Sequence, residues 1–143
     1  MLKDKAIDRK MIKKTKRSIQ WVNQWVNGKK QKYAGIHIVA EFWGSQIIED
    51  SKEIEKILIT AAKKGGNTPL EVTTHKFLPQ GITGVVLLAE SHIALHAWPE
   101  YNYLAIDIFT CGEKAFPDKS LNYLRKKFNP KKVEIKKIKR GTI

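Results

Sequence analysis

Residues 84–112 read GVVLLAESHIALHAWPEYNYLAIDIFTCG, and this stretch determines most of the fold that we predict. Residues 82–89 are a continuous apolar run, which is typical of a strand buried on both faces. In residues 92–98 and 103–109, aliphatic side chains alternate with mostly polar or aromatic ones, as in strands with one buried face. The stretch therefore predicts three successive strands, with the Glu90-Ser91 bond between the first and the second.

The residues on either side add helices and further strands. Residues 35–43 alternate and predict a strand, and residues 69–77 predict another. Residues 51–64 predict a helix, because Asp50 and Glu53 can form a capping box and one stripe is apolar. That stripe consists of Ile54, Ile57, Leu58, Ala61 and Ala62. A second helix is predicted from Pro117 to about Phe128, and a last strand over 132–139.

The order β-α-β-β-β-β-α-β indicates an α+β fold. Short turns between consecutive strands favour a mostly antiparallel sheet, so we expect a two-layer sandwich with both helices on one face. Strands 69–77 and 82–98 carry apolar side chains on both faces. This pattern favours a homodimer in which the two sheets pack face to face, giving an αββα arrangement.

Composition limits the class of protein. A chain of 143 residues with 42% hydrophobic residues fits a globular protein with one core. The single cysteine, Cys111, excludes an internal disulfide and favours a cytoplasmic location. The sequence contains no apolar run long enough to span a membrane and no signal-peptide core.

Charge separates the ends from the middle. Residues 1–32 carry a net charge of +9, residues 33–124 carry −4 and residues 125–143 carry +8. We predict a basic amphipathic extension over 1–32, formed by a helix at 5–27 and a linker, before a domain at 33–143. The basic ends raise the alternative of a nucleic-acid-binding module, but the acidic middle argues against it.

Chemistry-bearing residues gather around Glu90-Ser91. A serine hydroxyl can attack the preceding carbonyl when a base and an oxyanion donor are close. The amide then becomes an ester, elimination leaves dehydroalanine, and hydrolysis leaves a pyruvoyl group. His96 lies five residues after Ser91, so on a regular strand the two would face oppositely, and a bend or bulge at the cleavage site is expected. His92 and His96 have no clear third ligand, so no metal site is predicted.

Several motifs in sequence order resemble the short prokaryotic S-adenosylmethionine decarboxylase proenzyme, a pyruvoyl-dependent family. They are HIVAEFWG, FLPQGITGVVLLAESHIALHAWPEY, DIFTCG and KKVEIKKIKRG, and the resemblance runs from Tyr33 to the C-terminus. It implies self-cleavage between Glu90 and Ser91, with Ser91 becoming the pyruvoyl group. It also implies that His96 helps to remove the Ser91 α-proton during maturation.

The resemblance assigns the remaining site residues as well. Cys111 matches the proton donor of decarboxylation, Phe77 the ring that stacks on adenine, and Glu100 the acid that holds the ribose. Trp98 is a further candidate for substrate binding, whereas His92 is expected to be structural or supporting. The family has a serine that assists processing where this sequence has Thr83, which keeps the hydroxyl but stiffens the side chain.

The implied reaction joins the pyruvoyl ketone to the substrate amine as a Schiff base and releases carbon dioxide. S-Adenosylmethionine would thereby give its decarboxylated form, the aminopropyl donor for spermidine synthesis. A pyruvoyl-dependent decarboxylase of a basic amino acid such as arginine is the alternative. The residues that match adenine and ribose contacts favour the first reading.

Overall fold

The computed structural model describes residues 22–26 and 29–142, with side chains from Lys32 onwards. These residues form eight strands and two helices, together with a short 3-10 turn at Pro99–Tyr101. The strands are β1 (Val22–Val26), β2 (Lys29–Tyr33), β3 (Gly35–Trp43), β4 (Pro69–Lys76), β5 (Ile82–Leu88), β6 (His92–Trp98), β7 (Tyr103–Cys111) and β8 (Lys132–Arg140). The helices are α1 (Ser51–Lys64) and α2 (Pro117–Phe128).

Six strands form one sheet in the order β4-β5-β6-β7-β3-β8. Every neighbouring pair in it is antiparallel. The alternate side chains of β3, β5, β6 and β7 that point to one face form a single buried cluster with both helices. The predicted α+β sandwich, with an antiparallel sheet and helices on one face, is therefore confirmed.

Helix α1 begins and ends at the predicted residues. The Asp50 side chain accepts a hydrogen bond from the Glu53 N–H at 2.8 Å, and Gly65 ends the helix. All five residues of the predicted apolar stripe are buried. The helix packs closely on β5 at Gly84, where a Cβ would lie 2.8 Å from both the Ile54 and the Leu58 side chain. Only glycine fits this contact without displacing fully buried side chains.

The face of the sheet opposite the helices, which we call the open face, carries the side chains that alternate with the core. Three large apolar residues on it are partly exposed to solvent. The exposed fraction is 49% for Leu87, 40% for Trp98 and 38% for Trp43. The prediction that 82–89 is buried on both faces is thus wrong for the single chain, because Leu87 points away from the helix layer. An apolar run specifies burial only when something covers the second face.

The N-terminal prediction is tested only in part. Residues 22–26 form a strand that pairs with β2 in a two-stranded antiparallel sheet, where we predicted the end of a helix and a linker. The two strands are separated in sequence by Asn27-Gly28, a dipeptide that is as typical of hairpin loops as of helix ends. Residues 5–21 of the predicted helix lie outside the described residues. Within the described part, neither helix is long and apolar enough to cross a membrane.

Candidate active site

The Glu90-Ser91 bond lies in the tight connection between β5 and β6. The connection is closed by a hydrogen bond from the Leu88 N–H to the Ser91 carbonyl at 2.8 Å. The Glu90 carboxylate is fixed from outside, since it accepts hydrogen bonds from the Thr68 N–H at 2.9 Å and the Thr68 hydroxyl at 3.1 Å. The peptide bond that we predict to break is therefore held by β5 on one side, by β6 on the other, and by Thr68 through the Glu90 side chain.

Cys111, at the end of β7, reaches this bond. Its thiol donates a hydrogen bond to the Glu90 carbonyl oxygen at 2.8 Å. That oxygen is the atom on which negative charge develops if the Ser91 hydroxyl attacks. A donor already aimed at it can stabilise the developing oxyanion without reorganisation. Glu90, Ser91 and Cys111 thus come together within one chain, and we call them the cleavage cluster.

His92 is the histidine next to the serine hydroxyl. Its Nδ1 lies 3.3 Å from Ser91 Oγ, and both side chains are half-buried. Burial first, and then the nearby His37 and Arg140, lower the pKa of His92 below its ordinary value, while Asp107 opposes the shift. A histidine held neutral in this way can accept a proton at neutral pH.

The remaining predicted residues gather at the opposite end of β5 and β6. His96 Nδ1 lies 3.0 Å from the Thr83 hydroxyl, across the β5–β6 pair. Trp98 ends β6, Glu100 follows in the 3-10 turn, and Phe77 follows β4. The Gln80 side chain donates to the Glu100 carboxylate at 3.2 Å. We call Phe77, Thr83, His96, Trp98 and Glu100 the distal cluster.

Within one chain the two clusters are not brought together. The bend expected at the cleavage site is present at Ala89-Glu90, but β6 then pairs without interruption with both neighbours from His92 to His96 and beyond, so the chain does not fold His96 back towards Ser91. The four steps from His92 to His96 along this extended strand span roughly 13 Å, and Ser91 lies one residue further away. His96 therefore cannot touch Ser91 of its own chain, although both clusters lie on the same side of the sheet as His92.

Aromatic rings support the distal cluster. Trp98 stacks on Tyr103 with ring centroids 5.3 Å apart, and Tyr103 stacks on Trp43 at 4.2 Å. With Tyr101 these rings line a shallow apolar depression of about 330 Å³. Burial, and then a hydrogen bond to Glu41, raise the pKa of Tyr103 to about 12. Tyr103 is thus a neutral, fixed platform for Trp98.

Sequence reasoning missed several residues at the cleavage cluster. Thr68 gave no signal, because it is 22 residues from the Glu90 that it anchors. His37 was given no role, yet it joins Asp107 at 2.9 Å behind His92. The position of His92 beside Ser91 was a signal that could have been used. No group of three or more potential metal ligands occurs in the part of the chain that is described.

Comparison with known proteins gives one consistent family. The sequence model of S-adenosylmethionine decarboxylase matches residues 36–141. The S-adenosylmethionine decarboxylase proenzyme of Methanococcus vannielii is 48% identical over 114 residues, covering 78% of this chain and 93% of the relative. The proenzyme of Clostridium kluyveri is 47% identical over 109 residues, covering 75% and 86%.

The fold agrees with a solved structure. The crystal structure of the adenosylmethionine decarboxylase from Aquifex aeolicus superposes with a TM-score of 0.69 at 34% identity, covering 75% of this chain and 90% of that one. The family match begins just after the described N-terminal hairpin and includes both clusters. On these grounds, the chain belongs to the S-adenosylmethionine decarboxylase family.

Proposed function

We propose that this protein cleaves itself between Glu90 and Ser91 and then decarboxylates S-adenosylmethionine with a pyruvoyl group formed from Ser91. The observation that carries the proposal is the hydrogen bond from the Cys111 thiol to the carbonyl of Glu90. Family membership supports the substrate, and the relatives named as proenzymes support the cleavage. A site that depends on a free thiol also favours a reducing compartment such as the cytoplasm.

The residues around Ser91 suit the pyruvoyl group. Ser91 lies in the partly exposed connection just before β6, where a new chain end can form without disturbing the core. The group supplies a ketone that condenses with the substrate amine and accepts the electrons left by departing carbon dioxide. Cys111 holds the proton that is returned to the substrate α-carbon, since its thiol already lies at the reacting bond as a hydrogen-bond donor.

The same residues carry out the cleavage. Thr68 fixes the Glu90 side chain, and Cys111 polarises the Glu90 carbonyl. The Ser91 hydroxyl attacks this carbonyl, and the chain passes through an ester before elimination. His96 accepts the Ser91 α-proton in the elimination, and the Thr83 hydroxyl holds its Nδ1. Thr83 thus retains the supporting contact despite its extra methyl group.

His96 reaches Ser91 only from a second copy of the chain. We propose a homodimer in which two open faces pack together, as the exposed Leu87, Trp43 and Trp98 favour. An isologous interface brings the distal cluster of each protomer to the cleavage cluster of its partner, and so forms two equal sites. Phe77, Trp98 and Glu100 of one chain would then bind the substrate that reacts at Ser91 of the other.

Mixing two inactive variants tests this arrangement. Ser91→Ala lacks the nucleophile and His96→Ala lacks the proton acceptor, so each alone is expected to fail to mature. When both are co-expressed, one site of each mixed dimer combines Ser91 of the second chain with His96 of the first. We expect cleavage of the His96→Ala chain to return, measured by denaturing gel. If the mixture stays as uncut as the single variants, His96 does not act across a dimer.

Substrate identity is tested with purified protein and carboxyl-labelled compounds. We expect carbon dioxide from S-adenosylmethionine and none from arginine, and intact mass spectrometry should resolve fragments 1–90 and 91–143. Release from arginine alone would move the protein to the alternative substrate. An uncut chain that releases nothing and binds nucleic acid in a strongly salt-dependent way would overturn the proposed function.

A further inference from the structure

We propose that His92 is the catalytic base that takes the hydroxyl proton of Ser91 in the first step of self-cleavage, held in place by the His37–Asp107 pair. The inference rests on the proposed function, because it assigns a role within that maturation. It separates the two proton transfers between two histidines. His92 of the same chain serves the attack, and His96 serves the later elimination.

His92 is the histidine within reach of the Ser91 hydroxyl in the same chain. Nδ1 of His92 lies 3.3 Å from Ser91 Oγ, slightly beyond the usual range for proton transfer but typical of a site before its reaction begins. His96 is roughly 13 Å further along the same strand. Among the four histidines of the sequence, only His92 is adjacent to Ser91. The hydroxyl therefore has a base from its own chain before any partner is bound.

The ring of His92 is held on two sides. It meets His37 edge-on with ring centroids 6.2 Å apart and Phe109 edge-on at 5.9 Å. His37 is itself fixed, because its Nε2 lies 2.9 Å from an Asp107 carboxylate oxygen and its ring packs on Phe109 at 5.4 Å. His37, Asp107 and Phe109 are thus positioning residues that keep His92 against Ser91.

The surroundings of His92 disfavour its protonated form. The groups that face His92 are His37 from β3, Asp107 from β7 and Arg140 from β8. Burial, His37 and Arg140 together outweigh Asp107, so the pKa of His92 is lowered from 6.5. His92 is consequently neutral at physiological pH and able to accept a proton.

The step balances without any further reactant. Nδ1 of His92 accepts the Ser91 hydroxyl proton while Oγ bonds to the Glu90 carbonyl carbon, whose oxygen takes the negative charge beside the Cys111 thiol. The bond from this carbon to the Ser91 nitrogen then breaks, and the nitrogen takes the proton back from His92. The products are an ester and an amine, and His92 is regenerated.

Cell-free translation of the full chain allows maturation to be followed from its start. In His92→Ala we expect the rate of cleavage to fall about 10²- to 10⁴-fold, the usual effect of one general base. Added imidazole should restore part of the rate, because a small base can enter the space left by the ring. His92→Gln keeps the size of the side chain and should be as slow as His92→Ala. Lys126→Gln, a change at an exposed position of α2 in the helix layer, should mature normally.

Hydroxylamine isolates the first step, because it cleaves esters and leaves amides intact. His96→Ala should form the ester and be cut rapidly by hydroxylamine, whereas the double variant with His92→Ala should be cut slowly. Normal maturation of His92→Gln, or of both His92 variants, would overturn this inference while leaving the proposed function intact. A wild-type chain that is never cut would instead overturn the proposed function itself.

The pH dependence gives a second readout that a purely structural role would not move. Only neutral His92 acts as the base, and its pKa is lowered from 6.5, so the cleavage rate should be constant just below neutrality. At lower pH it should fall about tenfold for each unit, following the neutral fraction. In His92→Gln this fall should disappear. A wild-type rate that is already falling steeply at pH values above about 6.5 would contradict the assignment.

Discussion

Replacing Ser91 by alanine is expected to leave the chain whole and without decarboxylase activity. Alanine has no hydroxyl to attack the Glu90 carbonyl, so neither the ester nor the ketone derived from it can form. The effect should be complete, because the group that accepts the electrons of decarboxylation is made from this side chain. Denaturing electrophoresis should show one band in place of two, and no carbon dioxide should be released.

Two comparisons define this result. Wild-type fragment 91–143 should resist amino-terminal sequencing, because a ketone replaces its amine. Ser91→Thr keeps the hydroxyl and should still be cut, although more slowly because of its restricted side chain. A Ser91→Ala chain that is cut at this bond, or that still releases carbon dioxide, would mean that the reactive carbonyl comes from elsewhere.

Replacing Cys111 by alanine is expected to have the second largest effect, and at two stages. Among the described residues, the Cys111 thiol is the one hydrogen-bond donor to the Glu90 carbonyl. Cleavage should slow without it, because the developing oxyanion is no longer stabilised. The matured fraction should then turn over about 10²- to 10⁴-fold more slowly, because the proton donor to the substrate α-carbon is missing.

Cys111→Ser separates the two stages. A serine hydroxyl can donate to the Glu90 carbonyl, so maturation should be closer to that of the wild type than in Cys111→Ala. Its proton is much less acidic than that of a thiol, so turnover should remain low. Turnover is to be measured per mole of cleaved chain, with carbon dioxide trapped after mixing with labelled substrate. Full turnover of matured Cys111→Ala would remove the thiol from the chemical step.

The fold was predictable where local signals agree. Helix α1 has a capping aspartate at Asp50, an apolar stripe and Gly65 at its end, and the structure places it at the predicted residues. The helix prediction was wrong for residues 22–26, because Asn27-Gly28 is typical of both a helix end and a hairpin. An alternating pattern distinguishes the two only when the strand partner is known. The predicted burial of Leu87 was wrong, because an apolar run does not reveal what covers each face of the sheet.

The candidate site was predictable where its members are close in sequence or are carried by linked motifs. Cys111 could be joined to Glu90 through the motifs, and the structure places the two in contact. Thr68 could not be found, because its contact with Glu90 depends on how β4 enters the sheet. The separation of His96 from Ser91 could not be foreseen either, since it follows from an unbroken β6 and not from residue types. The roles of these residues stay predictions until the variants are measured.

The strand order determines how the two pieces would be held together after the proposed cut. The piece before Ser91 contributes β3, β4 and β5, and the piece after it contributes β6, β7 and β8. In the sheet the two sets are interleaved, since β3 of the first piece lies between β7 and β8 of the second, while β6 of the second lies against β5 of the first. Neither fragment can therefore leave without breaking three strand pairings, which are β5 with β6, β7 with β3 and β3 with β8. A backbone cut between Glu90 and Ser91 would therefore leave the protein one folded body.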